Sequence, residues 1–211
     1  MPILEMLDYA GVAVFAATGA LSASRKQLDI IGYIFLACVT GIGGGTMRDL
    51  VLGTTPVFWI ANPAYLLVST AVAITLFFTA HLFGSRYRVL VWLDAVGMSA
   101  YCVMGAAKGY EASGSMTVAL VTGALTATFG GILRDVMAGE PSVLLRPEIY
   151  VTAALAGSFV YVVATEFALE LPAASTLGLL AAFTVRGGAL RYGWTLPRGK
   201  ALPGRDPDDV M

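Results

Sequence analysis

Long apolar segments, separated by short polar connections, follow one another along almost the whole chain. A transmembrane helix needs about 20 mostly apolar residues, and by this measure the sequence predicts seven membrane spans. They cover residues 4–24, 28–47, 63–83, 89–107, 115–133, 149–165 and 172–190. The connections are too short for a separate soluble domain, so residues 1–192 are predicted to form a single membrane domain. Residues 193–211 are rich in proline, glycine and charge, which predicts a cytoplasmic tail that is disordered at its end.

An internal repeat relates the first three predicted spans to the next three. A shift of 86 residues superposes glycines, threonines and charged residues, whereas chance similarity between apolar segments would match alanines and leucines. The superposed pairs are Asp8 with Asp94, Gly11 with Gly97, Gly19 with Gly105, Thr40 with Thr126, Gly44 with Gly130, Gly45 with Gly131, Arg48 with Arg134, Asp49 with Asp135 and Gly53 with Gly139. The repeats, about 4–83 and about 89–166, each contain three spans, and this odd number turns the second copy upside down in the bilayer. The predicted fold is an all-α polytopic membrane protein with seven transmembrane helices, arranged as two inverted three-helix repeats plus a seventh helix at about 172–190.

Composition supports a membrane protein and excludes several other classes. Hydrophobic residues make up 57% of the chain and charged residues 13%, against roughly 25% charged residues in soluble domains. A net charge of −1 offers no basic surface for nucleic acid. The sequence shows no nucleophile–histidine or paired-carboxylate arrangement typical of an enzyme, and its two cysteines lack the spacing of a metal site. Inverted repeats are typical of transport proteins; the open alternative is a duplicated scaffold without a pathway.

Basic residues near the ends of the spans indicate the orientation of the chain. Lysines and arginines follow the first span, precede the fourth and sixth, and recur in the tail. All these positions lie on one side of the membrane if the spans alternate. Because cytoplasmic segments carry an excess of Lys and Arg, the N-terminus is predicted to lie outside and the C-terminus in the cytoplasm.

Glycines interrupt the second span just before an adjacent charge pair. The run is Gly41-Ile42-Gly43-Gly44-Gly45-Thr46-Met47-Arg48-Asp49, and the fifth span carries the copy Phe129-Gly130-Gly131-Ile132-Leu133-Arg134-Asp135. Each glycine lowers helix propensity by about 1 kcal/mol relative to alanine, which predicts a bend or local unwinding. Backbone groups freed in this way are tolerated at membrane depth only beside protein or water, as in a pore. An alternative, compatible with a pore, is a close crossing of spans 2 and 5 at Gly44-Gly45 and Gly130-Gly131.

Arg48 and Arg134 stand at equivalent places in the two copies, near the ends of their spans. In a straight helix each would snorkel to the lipid headgroups, whereas a bend would draw both guanidinium groups inward. Adjacent residues on a helix do not face each other. We therefore expect pairing across the repeats, of Arg48 with Asp135 and of Arg134 with Asp49.

Asp8 and Asp94 lie near the starts of the first and fourth spans. They are either N-terminal charges stabilised by the helix dipole or attractors for cations at the mouths of a pore. Thr122 and Thr126 share a face of the fifth span with Gly130. Their hydroxyls are candidate ion ligands, although threonine also bonds to its own backbone.

These residues together resemble a known family. Seven spans in a three-plus-three-plus-one order, with Gly-Gly-Gly-Thr-Met-Arg-Asp on the second and Gly-Gly-Ile-Leu-Arg-Asp on the fifth, are similar to the prokaryotic branch of the trimeric intracellular cation channels. The resemblance implies a homotrimer in the plasma (inner) membrane of a bacterium or archaeon. The expected partners are membrane lipids, with no nucleic acid, obligatory protein partner, cofactor or metal. Regulation by a lipid is not implied for this chain, because the basic signature of the animal members of the family is absent from its sequence.

The resemblance also implies a potassium-permeable pore through each subunit, lined by the bent helices of spans 2 and 5. The bends fall at Gly41, Gly43, Gly44, Gly45, Gly130 and Gly131. With the residues singled out above, the expected pore lining or gate comprises Thr40, Thr46, Arg48, Asp49, Thr122, Thr126, Phe129, Arg134 and Asp135, with Asp8 and Asp94 at the mouths. Phe129 replaces Gly43 in the second copy and is expected to form a hydrophobic constriction. The expected function is a monovalent cation channel for potassium or sodium; the alternative is a secondary transporter of a small zwitterion such as glycine.

Overall fold

The computed structural model describes residues 2–143 and 148–197, except the side chains of residues 2–4, and its regular elements are helices. The helices are α1 (Pro2–Arg25), α2 (Ile30–Leu52), α3 (Phe58–Ala61), α4 (Ala64–Thr79, extended by a 3₁₀ turn at Ala80–Leu82), α5 (Arg86–Ser113), α6 (Met116–Met137), α7 (Val151–Glu166) and α8 (Leu171–Tyr192). Most of the predicted tail, residues 198–211, lies outside the described residues.

Six of the described helices are long and apolar enough to cross a membrane, namely α1, α2, α4 with its 3₁₀ turn, α5, α6 and α8. The predicted span at 149–165 corresponds to α7, a shorter apolar helix of 16 residues. The chain is therefore an all-helical, multi-pass membrane protein, as predicted. The one-turn helix α3 was not predicted from the hydropathy pattern.

Local sequence signals decide where the helices begin and end. Asp29, Ser85 and Ser115 cap α2, α5 and α6, each accepting a hydrogen bond from the backbone N–H three residues later. Gly53 and Gly114 follow α2 and α5 with φ of 67° and 63°. Glycine adopts this left-handed conformation without the steric cost of a Cβ, so the helices stop at short turns.

Residues 41–45 and 130–131 lie inside uninterrupted α-helices, and the predicted unwinding at these glycines is wrong. A glycine disfavours the helix by about 1 kcal/mol relative to alanine. A backbone group left without a hydrogen bond in the hydrocarbon region costs several kcal/mol. Retaining the helical hydrogen bonds is therefore the more favourable solution. A bend within the continuous helices remains a prediction.

The glycines allow α2 and α6 to cross with their backbones in contact. A Cβ on Gly44 would overlap the carbonyl oxygen of Thr126, and a Cβ on Gly130 would overlap that of Thr40. The two contacts are related by the 86-residue shift, and their order along the chain shows that the helices cross antiparallel. The alternative of a close crossing is thus confirmed at these two glycines. Arg48 and Arg134, each four residues beyond its glycine, lie on opposite sides of the crossing.

Gly45 and Gly131 make room for side chains rather than for the other helix, so the crossing expected at these two positions is wrong. A Cβ on Gly45 would lie 2.6 Å from the ring of Phe58. A Cβ on Gly131 would lie 2.9 Å from the hydroxyl oxygen of Tyr150. The second glycine of each pair therefore accommodates an aromatic residue from the segment that follows its own helix.

Reciprocal contacts also join α1 to α5. The Tyr101 ring covers Gly11, and the Phe15 ring covers Gly97. The 86-residue shift relates Gly11 to Gly97 and Phe15 to Tyr101, so each aromatic residue fills the space left by the glycine of the other copy. The two rings also contact each other, with centroids 5.2 Å apart. The halves of the chain are therefore interlocked by matching pairs of contacts.

The helices differ in how much of their surface is covered. In α5 the apolar segment is 72% buried, whereas in α4 it is 22% buried. Exposed apolar side chains on α4 and its 3₁₀ turn include Leu67, Ile74, Phe78 and Leu82. Exposed apolar residues in such a helix suit contact with lipid chains. The central helix of the fold is α5, and α4 lies at its periphery.

Substitution of Gly44 by alanine tests the crossing. The added methyl group has to separate α2 from α6, and overpacking of this kind costs about 1–3 kcal/mol. We expect a lower thermal unfolding midpoint for Gly44→Ala and Gly130→Ala in detergent. Gly84→Ala is the control, because a Cβ at Gly84 meets nothing within 4 Å. Equal midpoints for Gly44→Ala and Gly84→Ala would contradict the close crossing.

Candidate functional site

Arg134 is buried at the centre of a charge network that joins α1, α5 and α6. Its side chain is 2% exposed. The Nη1 atom donates to Asp94 Oδ1 at 2.7 Å and to Thr18 Oγ1 at 3.0 Å. Nε and Nη2 both donate to Asp135 Oδ1, at 3.0 and 2.8 Å. We call these four residues the Arg134 network; in it, one guanidinium group is held by two carboxylates and a hydroxyl.

Arg48 is equally buried, but one of its hydrogen-bond acceptors is a thioether sulfur, which accepts weakly. Its Nε donates to Asp49 Oδ1 at 2.7 Å, and its Nη1 to the sulfur of Met104 at 3.0 Å. The Phe58 ring lies 5.5 Å from the guanidinium carbon. Nη2 lies 2.7 Å from Asp49 Oδ1 without making a hydrogen bond. In this Arg48 network a thioether replaces Thr18, since Met104 and Thr18 are related by the 86-residue shift.

Neither arginine side chain snorkels, because Arg48 is 0% and Arg134 2% exposed; both guanidinium groups lie inward, which was the other alternative. The expected pairing across the repeats is wrong. Among the described ion pairs each arginine binds the aspartate that follows it, not that of the other copy. The long side chain curls back to a carboxylate that is itself held: Asp49 Oδ2 accepts from the backbone N–H of Phe58 at 2.8 Å, and Asp135 Oδ2 from that of Val143 at 3.0 Å. Each aspartate thus closes the loop that follows its helix.

Asp94 and Asp8 occupy equivalent positions but have different partners. Asp94 binds Arg134. Asp8 Oδ2 lies 3.4 Å from Lys108 Nζ and 3.5 Å from the hydroxyl oxygen of Tyr65. Asp8 Oδ1 is buried and accepts no hydrogen bond from any described residue. The helix-dipole interpretation is wrong for Asp94, because α5 begins eight residues earlier and the dipole acts mainly within the first turn.

Two cavities of unequal size lie at the two networks. The cavity at the Arg48 network has a volume of about 390 Å³. It is lined by Asp49, Leu52, Thr54, Pro56, Phe58, Ala61, Lys108, Glu111 and Ala112. The cavity at the Arg134 network, whose lining includes Ser22, Asp94, Arg134 and Asp135, has about 20 Å³, which is room for about one water molecule. The space that Arg134 itself lines is therefore nearly filled, whereas the cavity lined by Asp49 and Lys108 is open. A further surface cavity, whose lining includes Tyr87, Val91 and Glu148, lies beside the Arg134 end.

The candidate threonines return their hydroxyl protons to backbone carbonyls. Thr40 donates to Leu36 O at 2.6 Å and Thr126 to Thr122 O at 2.6 Å. Thr122 and Thr46 bond in the same way to the carbonyls four residues earlier, and Thr46 also accepts from the indole of Trp59. This confirms that the threonines bond to their own backbone. Each hydroxyl oxygen still has lone pairs with which it can bind an ion. Pore lining by the threonines, and the constriction at half-buried Phe129, stay predictions.

Three residues of the candidate site were not predicted from the sequence. Lys108, Thr18 and Met104 contact the charged groups of the two networks. The signal was available, because the 86-residue shift places Thr18 against Met104 and Ser22 against Lys108. Positions at which the two copies of a repeat differ in charge or polarity therefore point to residues of the candidate site.

Comparisons with known proteins decide the family. The family model described as "Glycine transporter" matches residues 5–81 and 91–166, one match in each half. A UPF0126 membrane protein of Vibrio cholerae is 37% identical over 92% of this chain and 82% of its own. The inner membrane protein YadS of Escherichia coli is 37% identical over 92% of this chain and 95% of its own. The solved TRIC trimeric intracellular cation channel orthologue from Rhodobacter sphaeroides is 48% identical, with a TM-score of 0.89, over 92% of this chain and all of that one.

This chain belongs to the prokaryotic TRIC family. The resemblance predicted from the glycine–arginine–aspartate repeat is confirmed. The solved TRIC structures are ion channels and not enzymes, which agrees with the prediction that this TRIC chain is not an enzyme.

Asp94→Asn and Asp8→Asn should differ in their effect on stability. Removing one partner of a buried ion pair costs roughly 3–5 kcal/mol, with the lower end expected for Asp94 because Arg134 keeps Asp135. The Asp8 partner, Lys108, is 35% exposed, and such pairs contribute about 1 kcal/mol or less. Thermal unfolding in detergent measures both, with exposed Glu5→Gln as the control. An equal loss for the two variants would contradict the difference between the networks.

Proposed function

We propose that this TRIC chain is a channel for monovalent cations, with potassium as the expected permeant ion. The observation that carries the proposal is its similarity to solved cation channels: 48% identity and a TM-score of 0.89 to the Rhodobacter sphaeroides orthologue. A second solved structure, of a TRIC channel described in terms of its conductance, has 30% identity and a TM-score of 0.84.

The proposed pathway follows the antiparallel crossing of α2 and α6 in each subunit. Threonine hydroxyls and backbone carbonyls supply oxygen ligands on both helices, as cation pathways require. The buried guanidinium groups place a positive charge on each side of the crossing, which opposes cation passage. The Arg134 network, with room for about one water molecule, is the proposed closed gate, and the cavity of about 390 Å³ is the proposed entrance.

Assembly and orientation are part of the proposal. The Rhodobacter orthologue is described as trimeric, and we propose a homotrimer for this chain. The antiparallel α2–α6 and α1–α5 contacts support two inverted repeats. We propose an outside N-terminus and a cytoplasmic C-terminus in the inner membrane, which places the larger cavity outside. Membrane lipids are the proposed partners of the exposed apolar helix surfaces.

A carrier of a small zwitterion is the second candidate. The family model bears the name glycine transporter, and inverted repeats suit a carrier as well as a channel. The larger cavity presents both signs of charge, from Lys108 and Glu111, as a zwitterion requires. Planar-bilayer recordings and radiolabelled glycine uptake, made on the same purified protein, separate the two. We expect potassium current steps; saturable glycine uptake without current would establish the carrier.

Arg48→Ala should raise the unitary potassium conductance. The substitution removes a buried positive charge beside the pathway, and the barrier that this charge imposes on cations falls with it. Single-channel recording in planar bilayers measures the change, with Arg191→Ala near the end of α8 as the control. Unchanged conductance and unchanged potassium-to-sodium selectivity in Arg48→Ala would remove Arg48 from the pore.

A further inference from the structure

Asp8 is a buried carboxylate, and one of its two oxygens has no hydrogen-bond partner among the described residues. One of its oxygens, Oδ1, is buried and accepts no hydrogen bond from the described part of the chain, although the residue is only 4% exposed. Its other oxygen, Oδ2, faces Lys108 and the hydroxyl group of Tyr65. A buried carboxylate oxygen is normally satisfied, so this oxygen indicates a ligand.

The second copy of the repeat shows what fills the equivalent place. There, Asp94 Oδ1 receives the guanidinium group of Arg134 at 2.7 Å. The 86-residue shift relates Arg134 to Arg48, so Arg48 is the residue expected to bind Asp8. Arg48 binds Asp49 and Met104 instead. The position that a fixed arginine takes beside Asp94 is therefore left to another cation beside Asp8.

Lys108 holds Asp8 loosely and connects it to the larger cavity. The distance from Nζ to Oδ2 is 3.4 Å, and the lysine side chain is 35% exposed. Lys108 also lines the cavity of about 390 Å³ together with Asp49 and Phe58. An ion pair of this length with a partly exposed lysine contributes little to stability. A small cation arriving through the cavity therefore has to displace only a weakly held ammonium group.

We propose that Asp8 is a binding site for a monovalent alkali cation and that Lys108 is a tethered cation that competes for it. The proposal deepens the proposed function, since it places a regulated cation site at the entrance of the pathway. A monovalent ion is favoured over Ca²⁺, because this site offers a single carboxylate whereas Ca²⁺ sites usually combine several. No cluster of three or more His, Cys, Asp or Glu suited to a metal occurs in the described residues.

Potassium-dependent thermal stability of the purified full chain tests the site without requiring current. A cation that binds the folded state raises the unfolding midpoint in proportion to the logarithm of its concentration above Kd. The probe is KCl, compared with equal concentrations of N-methylglucamine chloride, whose cation is a bulky organic ammonium and not an alkali ion. We expect KCl alone to raise the wild-type midpoint and Asp8→Asn to abolish this response.

Lys108→Gln should lower the half-saturating potassium concentration about two- to fivefold, because the competing ammonium group is gone. Lys26→Gln is a closely matched control: Lys26 also forms an ion pair, with Glu140 at 3.0 Å, and its side chain is 36% exposed. Glu5→Gln, an exposed acidic residue on the same helix as Asp8, controls for loss of negative charge. Both controls should respond to KCl as the wild type does.

Three results would overturn the proposal. One is a potassium response that survives in Asp8→Asn, and another is an unchanged half-saturating concentration in Lys108→Gln. The third is stabilisation by glycine and not by KCl, which would assign the site to the ammonium group of a zwitterion. If Asp8→Asn does not fold, Lys108→Gln alone decides. A potassium response without bilayer current would keep the site and reject the channel.

Discussion

Burial of two guanidinium groups among apolar helices is the constraint on which the arrangement of the other elements depends. A buried arginine loses its hydration and is retained only where carboxylates and other acceptors surround it. Arg134 obtains these acceptors from three helices at once. Partners from three helices can meet only if the helices approach closely. Gly11 and Gly97 allow this approach for α1 and α5, and Gly131 leaves room on α6 beside Asp94 Oδ1, which a Cβ would meet at 3.3 Å. Glycine and arginine of the motif are therefore both needed for the Arg134 network.

The same scaffold carries two unequal ends. In the Arg134 network every guanidinium nitrogen has an oxygen partner, and the adjacent cavity is nearly filled. In the Arg48 network a thioether takes the place of a hydroxyl, and the corresponding aspartate, Asp8, is paired with a half-exposed lysine beside a large cavity. The two copies of the repeat share this frame and differ at a few positions, such as Thr18 against Met104 and Ser22 against Lys108. This difference supports the proposal of an entrance at the Arg48 end and a gate at the Arg134 network.

The sequence was sufficient to predict an all-helical, multi-pass membrane protein, and six of the seven predicted spans correspond to described helices long enough to cross a membrane. It was not sufficient to predict the pairings of the buried charges. The apolar segments follow from the membrane, and the matched glycines and charges follow from the repeat. Both patterns are visible in a single sequence. The partner of Arg48 depends on how far a long side chain curls and on the loop that holds Asp49, which are tertiary properties. Helix propensity likewise predicted unwinding at residues 41–45, because it does not include the cost of unsatisfied backbone in a membrane.

The reversal potential of the purified protein in a planar bilayer tests the central claim most directly. With a tenfold KCl gradient, a cation channel reverses near the potassium equilibrium potential, about 59 mV from zero for a monovalent ion. We expect current steps that reverse close to this value. Reversal near zero or near the chloride equilibrium potential would contradict a cation-selective pathway.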